Sequence, residues 1–238
     1  MPESMHQRYD RDERRMVATA SEELWTDGLV DALVDEAAPI LEGAEWYGVP
    51  EEAPPRWSKR STAILSLAAL ALRASRAVAL VVRAGYAPEA HAPYRRLQEA
   101  AGHASKVAFD ASGQYAENWI HGRGQAGKPR AAFSAASEDD PLWGLMSGQA
   151  HASFEHYANL SATLSEDGRL IHFLGPRRDP IWDNVFLWLV AHRLRTVLAE
   201  VLKIHSHIDQ GSFLTAAQQV EDAEDRLEAE LMAAMAPE

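Results

Sequence analysis

The sequence of 238 residues contains no cysteine. Disulfide bonds and thiolate chemistry are therefore excluded, and the composition fits a reducing compartment. The N-terminal residues lack the apolar core of a secretory signal peptide, which agrees with a cytoplasmic location. Glycine-rich phosphate loops, a nucleophile elbow and the His-Glu-x-x-His zinc motif are also missing, so no cofactor is predicted.

Long apolar runs free of charge are scarce as well. The most membrane-like stretch covers residues 62–82, and Arg73 and Arg76 lie well inside it. Each central arginine opposes membrane insertion by about 2.5–3.5 kcal/mol. The sequence therefore predicts that this stretch is a core helix and that the protein has no membrane partner.

Positive charge is in short supply overall, with 23 basic side chains against 35 acidic ones and a net charge of −12. Its distribution is uneven, because residues 1–55 carry a balance of −10, residues 56–106 one of +7, and residues 207–238 one of −7. The overall acidity argues against nonspecific binding of nucleic acid. The basic middle leaves two alternatives open, a local site for an anion or RNA, or packing of acidic end helices beside a basic central one.

Helical spacing of apolar residues dominates the remaining pattern. It predicts helices at about residues 10–41, 58–84, 88–110, 141–160, 181–205 and 212–235. Within the first of these, Ser21 followed by Glu23 and Leu24 also offers a helix restart. Residues 162–174 are the exception, because Asp167-Gly168 between short alternating runs indicates a β-hairpin. The predicted fold class is an all-α bundle of about six helices with one small β-hairpin insert. We expect an N-terminal helical segment and loop at residues 1–55 and the bundle at 56–238, within one domain overall.

Helix-terminating residues set the predicted boundaries. Ser58 is expected to cap the second helix, Gly85 to end it, and Pro88 to open the third. Residues 43–55 form a loop by their Gly and Pro content, and residues 122–141 form an exposed connection.

Two of the predicted helices carry a polar stripe in an otherwise Ala- and Leu-rich setting. The third helix holds Arg95, Arg96, Glu99 and His103, and the fourth holds Ser147, His151 and Glu155. Residues four apart project from one side of a helix, so Glu99 lies beside both Arg95 and His103. Facing solvent, the stripes would be an ordinary surface. Facing each other, they would form a buried polar cluster or a proton-transfer site.

A metal site is the weaker interpretation of the same residues. Glu99, His103, His151 and Glu155 offer four oxygen and nitrogen ligands. The Glu-x-x-His spacing of di-iron bundles is absent, however, so no metal is favoured.

The stripes lie in the segments GYAPEAHAPYRRLQEAAGHASKVAFD and WGLMSGQAHASFEHY. These segments resemble a bacterial helical family catalogued as domain of unknown function 5677, and the resemblance covers roughly residues 60–205. That family has an Arg-x-x-x-Glu helix followed by a Ser-x-x-x-His helix, which here correspond to Arg95 with Glu99 and Ser147 with His151. The resemblance implies that both stripes belong to one interior feature, and it implies no reaction.

A looser similarity is to HEPN helical domains, some of which are ribonucleases of toxin or phage-defence systems with an Arg-x(4–6)-His motif. Arg96 and His103 match it with six residues between them, although Leu97 stands where those enzymes often have a polar residue. The similarity implies that Arg96 would hold a phosphate and His103 would move the proton in metal-independent RNA cleavage.

Three functional hypotheses follow. The first is a bundle of undetermined function with an interior cluster of Arg95, Glu99, Ser147 and His151. The second is the HEPN-like endoribonuclease, so whether the protein is an enzyme stays open. The third is a regulatory module that encloses a small ligand in a Trp-rich core, with side chains that include Trp143, Trp182 and Trp188. RNA, a small molecule or a second copy of the chain are the partners these hypotheses allow.

Overall fold

The computed structural model describes residues 5–46, 55–124, 126–127, 162–164, 170–172 and 176–235. Seven α-helices occur among these residues: α1 (Met5–Glu23), α2 (Asp27–Trp46), α3 (Pro55–Arg83), α4 (His91–Phe109), α5 (Gln114–Ile120), α6 (Pro180–Ile204) and α7 (Gly211–Met235). A short 3-10 helix, Ala87–Ala90, precedes α4. The prediction of a mainly helical bundle is confirmed for the described part of the chain.

Two short strands are present, β1 (Ala162–Leu164) and β2 (Leu170–His172). They pair antiparallel, with Thr163 opposite Ile171. Residues 165–169, which would form the turn between them, lie outside the described residues. The complete hairpin predicted for residues 162–174 is therefore not seen.

Several predicted boundaries are wrong at the N-terminal side. The single helix expected at residues 10–41 is two helices, because the chain breaks after Glu23 and restarts at Asp27. α2 then continues through Gly43 to Trp46, so the loop expected from residue 43 begins later. α3 begins at Pro55 rather than at a cap on Ser58, since the fixed φ of proline suits the first turn of a helix.

The end of α3 is the boundary that the sequence predicts best. Gly85 has φ +84°, a left-handed conformation that favours glycine. Its N–H donates to the Val82 carbonyl at 2.9 Å, and the N–H of Tyr86 donates to the Val81 carbonyl at 3.0 Å. This Schellman ending satisfies two carbonyls of the last turn. Gly85 also accepts from the N–H of Arg177 at 2.8 Å, which ties the end of α3 to the segment that leads into α6.

α3 and α6 form the centre of the bundle. They run antiparallel, because the Arg177–Gly85 contact joins one pair of ends and a Ser61 Oγ–His205 Nε2 contact of 3.1 Å joins the other. α4 packs against both of them, and α2 packs against them from another side. One continuous cluster of buried apolar side chains fills the interior, and it includes Leu33 on α2, Leu67 on α3, Leu97 on α4 and Leu194 on α6.

The most apolar helix is a core helix, as the sequence predicts. Between Lys59 and Arg83, α3 is long and apolar enough to cross a membrane by length and composition. Its buried face instead contributes Ile64, Leu67 and Val78 to the cluster shared with the other helices. This packing is compatible with a soluble protein.

A buried arginine joins the ends of three helices. The Arg178 side chain is 3% exposed. Its Nη2 donates to the carbonyls of Met16 on α1 and Arg83 on α3, both at 2.7 Å. Its Nη1 donates to Thr19 Oγ1 at 3.0 Å and to Glu23 Oε2 at 2.9 Å. Arg178 therefore attaches α1 to the end of α3 and to the start of α6.

A buried asparagine continues this junction. Asn184 on α6 accepts from the N–H of Thr26 at 3.0 Å and from its hydroxyl at 2.8 Å. Its amide nitrogen donates to the Glu23 carbonyl at 3.0 Å and to the Pro180 carbonyl. The break between α1 and α2 is thus held by the first turn of α6, which explains why the helical pattern of the sequence does not continue through it.

An acidic side chain is buried in the same turn of α6. Asp183 is 3% exposed and accepts from the N–H of Asp179 at 3.2 Å. Burial disfavours the carboxylate and raises the pKa of Asp183 to about 7.

We expect Arg178→Met to lower the free energy of unfolding by about 2–4 kcal/mol, because the Arg83 carbonyl at the end of α3 loses its side-chain donor and the contacts to α1 are removed. Urea denaturation followed by circular dichroism measures the change. Arg76→Met is the matched control, since Arg76 is exposed on α3, and its effect should stay within about 0.5 kcal/mol. Equal stabilities for the two variants would contradict the role assigned to Arg178.

Candidate functional site

The polar face of α4 is not a solvated surface. Within α4 only Ala92, Arg96 and Phe109 are exposed, and all other residues are half-buried or buried. The sequence leaves two interpretations open, a stripe that faces solvent and a stripe that faces the interior. The burial of α4 fits the second.

The ion pair predicted on α4 is present. Arg95 Nε donates to Glu99 Oε1 at 3.2 Å, and the two side chains are 24% and 22% exposed. Ser147 and His151, the other half of the predicted cluster, lie outside the described residues. The four-residue cluster therefore stays a prediction.

His103 is buried beneath α5, a helix that the sequence analysis did not predict. It is 6% exposed, and its Nδ1 lies 2.8 Å from the hydroxyl of Tyr115. The ring of Trp119 lies 6.1 Å from the imidazole. Burial, aided by the positive charge of Lys106, lowers the pKa of His103 to about 4. His103 is therefore neutral at physiological pH.

Arg96 and His103 occupy different environments. Both lie on α4, but Arg96 is exposed to solvent whereas His103 is enclosed by Tyr115 and Trp119. Two full turns of helix, about 10 Å, separate their backbone positions. The sequence motif is thus not assembled into an open cleft around His103.

Metal ligands do not converge in the described part of the chain. No group of three His, Asp or Glu side chains there is placed to hold an ion. Of the four weak metal candidates, Glu99 and His103 are described, whereas His151 and Glu155 lie outside the described residues.

The predicted Trp-rich enclosure is dispersed as well. Trp182 is 61% exposed, and Trp188 donates from Nε1 to the Val220 carbonyl of α7 at 2.9 Å. Trp143 lies outside the described residues.

The interface between α4 and α6 carries polar groups that the sequence analysis missed. Aromatic contacts define one end of this interface, because the rings of His91 and Tyr94 lie 4.9 Å and 5.0 Å from that of Phe186. The other end is marked by Ser105 Oγ, which contacts Glu200 Oε1 at 3.5 Å. The two helices therefore run parallel between these contacts.

Gln98 lies on the part of α4 that faces α6. At the helical repeat, His91, Gln98 and Ser105 fall within about 60° of one another round the axis. Gln98 is 2% exposed, and neither its Nε2 nor its Oε1 has a hydrogen-bond partner in the part of the chain that the structure describes. An unsatisfied buried amide costs stability, on the order of 1–3 kcal/mol.

Arg193 lies on the opposing side of this interface. It is seven residues after Phe186 and seven before Glu200, and this spacing keeps all three on one side of α6. Counting along both helices from the two contacts places Arg193 within about one turn of Gln98. By this register, the backbone of Arg193 lies near that of Gln98.

A buried carboxylate completes the interface two turns further along. Glu200 is 5% exposed, and its Oε1 accepts from Lys203 Nζ at 3.0 Å. Its second oxygen, Oε2, has no hydrogen-bond partner. We name Gln98, Arg193 and Glu200, with the rings of Tyr94 and Phe186, the α4–α6 site.

Comparisons with known proteins do not identify the chain. No protein-family model matches it, and neither a curated protein nor a solved structure is significantly similar. The resemblances to domain of unknown function 5677 and to HEPN domains therefore stay predictions.

The depressed pKa of His103 has a consequence for acid stability. The folded protein binds fewer protons at His103 than the unfolded chain does, so the contribution of His103 to stability is lost as the pH falls from about 6.5 towards 4. Buried Asp183 has the opposite dependence over this range. We therefore expect His103→Gln to lower the slope of the unfolding free energy against pH by up to about 1.4 kcal/mol per pH unit. Urea titrations between pH 4.5 and 7 measure it, with His121→Gln as the exposed control. An unchanged pH profile in His103→Gln would contradict the burial.

Proposed function

We propose that this protein is a cytoplasmic binding module whose helical bundle takes a small polar ligand at the α4–α6 site. The observation that carries the proposal is Gln98, whose amide is buried without a hydrogen-bond partner at either atom. Buried polar groups in folded proteins are nearly always paired, so such a side chain indicates a partner that binds separately. The neighbouring charge of Arg193 and the free oxygen of Glu200 support a polar occupant.

The interior cluster predicted from the sequence belongs to the same proposal. Arg95 and Glu99 lie on the half-buried side of α4 next to Gln98. Ser147 and His151, the other half of that cluster, lie outside the described residues.

The proposal is tested by exchanging the amide for an apolar group of similar size. In the absence of ligand, we expect Gln98→Leu to raise the free energy of unfolding by about 1–2 kcal/mol, because an unsatisfied amide is removed. Gln219→Leu on the exposed side of α7 should change it by less than about 0.5 kcal/mol. Urea denaturation of the purified proteins measures both.

The second part of this test is ligand binding. A panel of single compounds, which covers carboxylates, phosphates, amines, amides and nucleobases, is screened by the shift in melting temperature. At least one class should stabilise the parent and Gln219→Leu but not Gln98→Leu. A marked destabilisation by Gln98→Leu without any ligand effect would assign Gln98 to the core and end the proposal.

A HEPN-like ribonuclease is the second candidate, because Arg96 is exposed and can reach a phosphate. His103, neutral at pH 7, has the protonation state of a general base. If the protein cleaves single-stranded RNA, Arg96→Ala and His103→Gln should each reduce the rate by about 100-fold or more, whereas Arg73→Ala should leave it unchanged. Cleavage of a fluorescent RNA measures this, and equal rates in all variants would remove both residues from the mechanism.

A further inference from the structure

The unsatisfied atoms of the α4–α6 site specify a ligand chemistry, and this step rests on the function proposed above. We infer that the ligand presents an amide-type edge, a hydrogen-bond donor directly beside an acceptor. Gln98 offers one donor, Nε2, and one acceptor, Oε1, and both are free. An amide edge meets both atoms at once through two parallel hydrogen bonds.

Ligands of other simple classes leave one atom of Gln98 unpaired. A carboxylate or a fully ionised phosphate accepts from Nε2 but has no proton for Oε1. An ammonium group or a hard metal cation meets Oε1 but leaves Nε2 without an acceptor. Leaving either Oε1 or Nε2 unpaired lowers the affinity, because the buried atom cannot form a hydrogen bond to water instead.

The rest of the site favours a planar, unsaturated carrier for this edge. Tyr94 lies one helical turn before Gln98, and its ring meets that of Phe186 edge-on at 5.0 Å. These two rings form an apolar wall at one end of the site. Arg193 lies at the level of Gln98 in the helical register. An aromatic carboxamide and a nucleobase share this chemistry.

Matched pairs of compounds, with and without the N–H donor, distinguish the contribution of the amide edge to binding from that of the ring. Nicotinamide and uracil are the two sources, and N,N-dimethylnicotinamide and 1,3-dimethyluracil are their counterparts without a donor. We expect nicotinamide or uracil to raise the melting temperature of the protein in a dose-dependent manner. The methylated counterpart should bind at least about tenfold more weakly, since it leaves Oε1 of Gln98 unpaired.

Variants connect this binding to the proposed contact. Gln98→Leu should abolish the stabilisation, whereas Gln219→Leu should retain it. A second measurement does not depend on any variant: in protein labelled with ¹⁵N-glutamine, the side-chain NH₂ signal of Gln98 should shift on binding. The compound that raises the melting temperature more, nicotinamide or uracil, identifies whether the site prefers an aromatic carboxamide or a nucleobase.

The outcomes distinguish this inference from the function on which it rests. Equal binding of methylated and unmethylated compounds would overturn the amide edge. Stabilisation by a carboxylate, phosphate or amine alone, when it is lost in Gln98→Leu, would also overturn it but would leave the binding module standing. Failure of every class of compound to stabilise the protein would overturn both.

Discussion

The described fold depends on the hydrogen bonds of a single buried guanidinium. Arg178 donates to the carbonyl of Arg83 at the end of α3, where a helix leaves its last carbonyls without an internal partner, and to the carbonyl of Met16 within α1. Its positive charge lies at the negative end of the α3 dipole, which favours this contact further. Because Arg178 precedes α6 directly, the same contacts set where α6 enters the bundle. The antiparallel packing of α3 and α6, and with it the position of α4, follows from this junction.

α4 is surrounded on most sides, and its polar residues therefore carry an energetic cost that a surface helix would not have. His103 offsets the cost of burial through a hydrogen bond with Tyr115. Arg95 and Glu99 offset it through the hydrogen bond between them. Gln98 has no hydrogen-bond partner among the described residues. A polar side chain that lowers stability is typical of binding sites, where the requirements of function and stability diverge. Ser75 Oγ is also buried without a partner there, and Gln98 differs in sharing the α4–α6 interface with a second such group, Oε2 of Glu200.

Much of the helical architecture could be predicted from apolar spacing. α6 and α7 begin and end within one residue of the predicted bounds, and Gly85 ends α3 as expected. The sequence indicates the break only as an alternative, a restart at Ser21, because Asn184 holds the break at residues 24–26 from a distant part of the chain. α5 was missed because seven residues are too few for a clear period. The sequence feature that indicates α5 is Asp110, in the turn that precedes the helix. Its side chain accepts a hydrogen bond from the N–H of Tyr115 at 2.6 Å.

The candidate site was less accessible to sequence reasoning than the fold. Arg95 and Glu99 were found because an i,i+4 pair is a local property of one helix. Gln98 carries no local signal, since its importance arises from a facing helix about 95 residues further along the chain. Arg193 and Glu200 likewise look like ordinary polar residues on a long apolar helix. The relation among these three is a property of the tertiary packing.

The burial of Asp183 and that of His103 shift the pKa values of the two side chains in opposite directions on folding. On folding at mildly acidic pH, His103 gives up a proton because its pKa falls, and Asp183 takes one up because its pKa rises. Between about pH 4 and 6.5 the two exchanges oppose each other, so these two residues contribute to the pH dependence of folding with opposite signs. Above that range His103 is neutral in both states, and of these two residues Asp183 alone takes up a proton until about pH 7. Mutation of either residue therefore exposes the proton dependence that the other contributes.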